Sequence, residues 1–241
     1  MKKIAISLMM LAVAASGFSQ KKNVSKAESA LWNPIDLVTA KTSIEAAMTD
    51  PSTAKWEKTY YIAGNVYYAY YEEEEKKRLL GQPANQAVKN EYLVKAIDAY
   101  AKAAEYGQMP DEKGKVKPKY EKEVKANLEK YGKYLINEGL YNYNQSDYKT
   151  ATNLWRKYLE IPSYPIMKNV GMEKDSLYNE IKYYSVDAAN RVPELKPIAV
   201  KYMEELKDAG YKAESMYEWL SDEYKGKDDA KYVKTLQEGM K

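Results

Sequence analysis

Apolar and aromatic residues recur along this chain at intervals of three and four, and β-branched runs are few, so the predicted elements are helices nearly throughout. Breaks fall at Asp50-Pro51, Gly81-Gln82-Pro83, Gly107 to Lys119, Ile161 to Pro165, Val192-Pro193 and Gly210. They leave segments of one to two dozen residues, the length of the arms of helical hairpins. The amino terminus follows a different pattern. Lys2 and Lys3 precede an apolar run from Ile4 to Ala15, which is short of the roughly 20 residues needed to cross a bilayer. Small Gly17 and Ser19 occupy the two positions that a signal peptidase reads. Residues 1–19 are therefore expected to be a signal peptide, cleaved between Ser19 and Gln20. The polar stretch 20–29 is expected to be disordered, and 30–241 to form one helical domain.

Composition then removes whole classes of chemistry. The chain has no His and no Cys, so it lacks the commonest general base, the centre of a serine triad and the usual zinc ligands. No metal site, no cofactor and no enzymatic activity are expected. Loss of residues 1–19 takes two lysines and no acid, which lowers the formal charge from +3 to +1 and takes away the only Phe. That balance carries no electrostatic footprint for nucleic acid. With no cysteine to acylate, the exported chain is expected in a Gram-negative periplasm without a lipid anchor, and without membrane insertion once the signal is gone. Its aromatic content is 25 Tyr and 4 Trp, side chains with apolar bodies and polar tips.

The helices resemble one another. In Gly139 to Trp155, a glycine near an aromatic is followed by Ala151 and, four residues on, by Trp155; a second copy pairs Gly64 and Tyr67-Tyr68 with Ala96 to Ala103, which includes Tyr100. The spacing between the halves is longer by 20 residues in the second copy, an insertion within that hairpin. Weaker copies are Ala40 to Ala47, a lone second helix, and Tyr183 to Asn190 followed by Ala199 to Met203. This pattern resembles the tetratricopeptide repeat (TPR), in which glycine and alanine let two helices approach and the aromatic fills the space beside them. Departures are Asn142 where an aromatic is usual, Tyr158 where a small residue is usual, and Tyr60 and Leu135 in place of an opening tryptophan. The resemblance implies an all-α, curved array of stacked antiparallel helical hairpins, an α-solenoid with long inserts. The leader is similar to export signals of Bacteroidetes, and Asp175-Ser176-Leu177 resembles their O-glycosylation acceptor, with Ser176 as the acceptor residue.

Charged runs read as solvated surface. Glu72, Glu73 and Glu74 stand four residues before Lys76, Lys77 and Arg78, spacing that supports an exposed helix, and Lys113, Lys115, Lys117 and Lys119 lie in a Pro- and Gly-containing connector. Function is therefore expected to rest on the concave groove that the first helices line in the family. The resemblance puts Tyr61, Asn65 and Tyr68 beside Asn137, Leu140 and Tyr143, with Tyr184 further along. Asn65 and Asn137 match the asparagines of family members that capture a carboxyl terminus, but Tyr61, Ile181 and Ser185 stand where basic residues are needed. The expected partner is an internal peptide or folded surface of a cell-envelope protein, bound by a non-catalytic scaffold. The alternatives are a glycan-binding accessory module, suggested by the tyrosines, and a carboxylate-based glycoside hydrolase, which no acidic cluster supports.

Overall fold

The computed structural model describes residues 21–32, 34–111 and 113–240. The proposed signal peptide, with Ser19 and Gln20, lies outside the described residues. Among those described there is no strand, and helices pack against their neighbours in chain order. No described helix is long and apolar enough to cross a membrane. The chain divides into two compact units, one ending at Gly132 and one running from Lys133 to Lys241.

Unit 1 begins with α1 (21–29), in the stretch expected to be disordered. Val24 and Ala27, three apart on one helical face, are fully buried, and Glu28 pairs with Lys58 at 2.6 Å. Two small apolar residues among charges are a weak periodic signal, but burying them is enough to order a short helix against its neighbours. Next come α2 (Leu37–Thr49), α3 (Glu57–Leu79) and α4 (Gln86–Gly107). Asp36 and Asn85 cap α2 and α4 by accepting from the backbone N–H groups of Thr39 and Val88. The expected insertion is mostly helix: α3 runs on past its glycine to Leu79, and α4 starts after a connector of only six residues. Along this extension the charges pair otherwise than the four-residue spacing suggested. Lys77 meets Glu74 and Arg78 meets Glu75, both three apart at 2.6 Å. Glu74 is buried and accepts from Asn85 N at 2.5 Å, and Glu75 also pairs with the buried Lys89 of α4. These carboxylates bind α4, so they are not a solvated face. The Arg78 hydrogen bond, with Lys89 adding to it, holds the Glu75 carboxyl down at about 2.

The division between units falls inside α5 (Glu121–Asn144). Unit 2 continues with α6 (Tyr148–Glu160), α7 (Ser176–Asn190), α8 (Lys196–Asp208), α9 (Ala213–Tyr224) and α10 (Asp229–Gly239). Asp147, Asp175 and Asp228 cap α6, α7 and α10. The turn from α5 to α6 is made by Ser146 at φ +64°, a left-handed position where glycine is the relaxed choice.

Both strong repeat copies close in the same way. A Cβ on Gly64 would meet the Tyr100 ring at 2.5–2.7 Å, and one on Gly139 would overlap the indole of Trp155 even more severely. Each aromatic is at most 1 % exposed, and each polar tip finds an acceptor on the first helix. Tyr100 OH donates to Asn65 Oδ1 at 2.8 Å, and Trp155 Nε1 donates to the Ile136 carbonyl at 3.1 Å. The residue lying on Gly139 is thus Trp155, with the buried Ala151 one turn earlier on α6. In the α7–α8 hairpin, the fully buried Ser185 stands five residues before the helix end, where α5 has Gly139.

Candidate functional site

The residues expected to line a groove divide between the two units, and their surroundings differ. In unit 1, Tyr61, Asn65 and Tyr68 share one face of α3 because they are spaced by four and three. That face is occupied. Tyr61 stacks on Tyr120 with ring centroids 4.2 Å apart and 13° between planes, and Tyr68 stacks on Tyr131 at 3.8 Å and 15°. Asn65 accepts from Tyr100. Lys130 sits over both Tyr68 and Tyr131, at 5.6 and 5.4 Å from the centroids. All three side chains are part-buried by the protein's own tyrosines, so here the expected groove residues pack within the unit.

In unit 2 the expected residues are exposed. Leu140 on α5 keeps 50 % of its surface and Tyr184 on α7 keeps 41 %, and Asn137 is exposed beside Leu140. Tyr143 is half-buried, and its hydroxyl donates to Asp187 Oδ2 at 2.5 Å. That hydrogen bond, then burial, raises the phenol above its ordinary pKa. Asp187 is held in turn by Arg191, with Nε to Oδ2 at 3.1 Å and Nη2 to Oδ1 at 3.2 Å, and the guanidinium lies over the Tyr148 ring at 4.9 Å. The Trp155 ring approaches Tyr143 at 5.8 Å and Tyr184 at 6.1 Å. Tyr143 thereby ties α5 to α7, and Leu140 and Tyr184 remain outward on an aromatic floor. Such a surface can offer apolar anchors and amide hydrogen bonds.

Comparison with known proteins gives no match to a family model, to a curated protein or to a solved structure.

The register carried onto α7 for basic residues does not hold. Ile181 and Ser185, assigned to the groove, are buried at 4 % and 0 %, and the Ser185 hydroxyl has no hydrogen-bond partner among the described residues. Ser176 is exposed as the first residue of α7, directly after the Asp175 cap that accepts from Leu177 N at 3.0 Å. Asp187 and Arg191 escaped the sequence reading. Their four-residue spacing was visible, but Asp187 is 44 positions from Tyr143, and no local pattern pairs them.

Proposed function

We propose that this protein is a non-catalytic tetratricopeptide-like scaffold of the cell envelope, which binds a partner protein through the exposed α5–α7 face of unit 2. What supports the repeat reading is the recurrence of one lock, a glycine under a buried aromatic with its polar tip satisfied across the hairpin, at Gly64/Tyr100 and Gly139/Trp155. The observation that carries the binding reading is the contrast between the occupied α3 face and the open pair Leu140 and Tyr184. A leucine and a tyrosine over a packed aromatic floor have the character of interface anchors, since aromatic and apolar groups backed by rigid structure lose little entropy on binding. The free carboxylate of a chain end is not the favoured ligand. The guanidinium beside this face is already committed to Asp187, and an anion desolvated there would lack compensation.

The test is photo-crosslinking from positions 140 and 184 in envelope extract of the native host, with position 149 as an exposed control. The expected result is one protein crosslinked from both 140 and 184 and absent at 149. Loss of the adducts in a Tyr184→Ala background with crosslinker at 140 would tie them to this face. Adducts of equal strength from position 149 would overturn the assignment.

A further inference from the structure

The α4–α5 connector, with its alternating lysines, is built into unit 1 and does not run loose. Asp111 Oδ1 accepts from Lys113 N and Lys115 N, each at 2.9 Å. Glu57, the first residue of α3, accepts from Lys119 N at 3.0 Å and Tyr120 N at 2.9 Å. Gly107, which ends α4, lies so close that a Cβ there would stand 2.8 Å from the Glu57 carboxylate. The connector is thereby fastened across a cavity of about 290 Å³.

Lys55, Lys58, Lys115, Lys117 and Lys119 line that cavity, against two acids, Glu57 and Asp111. Both acids are spent on backbone N–H groups. Of the lysines, Lys58 pairs with Glu28 at 2.6 Å and Lys117 stands 3.9 Å from Asp111. Lys55, Lys115 and Lys119 form no ion pair among the described residues. The larger cavity of unit 2, about 580 Å³ between α6, α7 and α8, is nearer to balance: Arg156, Lys182 and Lys201 stand against Glu160 and Glu205, with Lys182 and Lys201 at 2.8 and 3.7 Å from Glu205. Positive charge therefore converges at the unit 1 cavity, in a protein that is otherwise close to neutral.

The spacing narrows the ligand. Residues 115, 117 and 119 line the cavity and Val116 does not, the alternation of an extended segment, which places successive lysines about 6.5–7 Å apart. An extended peptide with carboxylates at every second position repeats at the same interval. The aromatic walls offer little to a sugar ring, because Tyr106 faces Tyr60 at 5.1 Å, Tyr120 is stacked on Tyr61, and Lys21 lies over Trp56 at 5.7 Å. We propose that this cavity docks an extended acidic segment of a partner protein, with Asp or Glu at alternating positions facing Lys115, Lys117 and Lys119, and Lys55 closing from the other side. This surface is separate from the α5–α7 face and stands without it.

The experiment is fluorescence anisotropy of the purified protein with a labelled twelve-residue peptide of alternating Glu and Ser, an all-Ser control, and polygalacturonate as competitor. Binding of the acidic peptide alone is expected, weakening about tenfold or more between about 50 and 200 mM salt, as exposed charges do. Lys55→Glu with Lys117→Glu is expected to weaken it at least tenfold. Lys201→Glu with Lys234→Glu, the same change in net charge at exposed sites of unit 2, is expected to leave it within about twofold; circular dichroism checks that each variant is folded. No binding, or an equal loss in both double variants, overturns the site. Tighter binding of polygalacturonate than of the peptide overturns the peptide assignment.

Discussion

The hairpins α3–α4 and α5–α6 are built on one lock and present opposite surfaces. Each sets a glycine beneath a fully buried aromatic whose polar tip is satisfied across the pair. In unit 1 the two helices extend well beyond the lock, and the outer face of α3 is covered by Tyr120 and Tyr131. In unit 2 the first helix ends five residues past Gly139, the three-residue turn through Ser146 follows, and Leu140 stays half exposed. The close approach of two helices is thus a local matter, set by small and large residues. Whether the adjoining face is free for a partner depends on what the rest of the unit lays over it.

The lock should be equally intolerant in both hairpins. Gly64→Ala and Gly139→Ala each insert a Cβ into a ring that has no room to move, and each is expected to cost about 2–3 kcal/mol in urea unfolding followed by circular dichroism. Indifference at either glycine would separate the two hairpins.

A second pair of variants tests the difference in their faces. Tyr68→Ala removes a stacked, part-buried ring and is expected to destabilise by about 1.5–2 kcal/mol, whereas Leu140→Ala should change stability by less than about 0.5 kcal/mol. Equal effects on the melting midpoint would mean that the α3 and α5 faces are alike after all.

The extension of α3 adds a pH dependence in acid, carried by Glu75. With its folded pKa down at about 2, against 4.5 for the unperturbed group, Glu75 takes up a proton more readily in the unfolded chain. Its contribution is complete above about pH 4.5 and is lost as pH falls from there through about 2. Solvent reaches this carboxylate, so Glu75→Gln should cost only about 1 kcal/mol at pH 7 and nothing near pH 2. Denaturant titrations of the two proteins at both pH values measure this, and a deficit that persists in acid would assign it to lost packing.

The smallest effect belongs to the tight turn of unit 2. Ser146→Gly should stabilise by about 0.5 kcal/mol, because glycine adopts φ +64° without a steric penalty while losing more chain entropy on folding. A fall in stability would show that the serine holds the turn in a way its backbone does not reveal.

Much of this was legible in the linear pattern. Asp50-Pro51, Gly81-Gln82-Pro83 and Val192-Pro193 separate helices where expected, and Ala40, Ile44 and Ala47 bury the face their spacing predicted. These features are local: proline lacks a donor, Asn85 caps α4, and apolar spacing selects a face. The helix at 21–29 was not legible, because only Val24 and Ala27 signal it and both need other helices to be buried against. Nor was the role of Glu74 and Glu75, whose partners Asn85 and Lys89 lie beyond the helix end.

By itself, then, the sequence determined where most of the breaks between helices fall and that a small glycine and a large aromatic recur in two of the hairpins. Only the tertiary structure decided which tyrosines are spent. Tyr61 and Tyr184 have the same amphipathic side chain, but one is stacked on Tyr120 and the other stands open. It also carried Lys55 and Lys58 to the connector lysines some sixty residues away, turning a solvated charge run into one wall of a basic cavity. Charges and rings act over a few ångströms of space, and distance along the chain does not encode that space once helices fold back on one another.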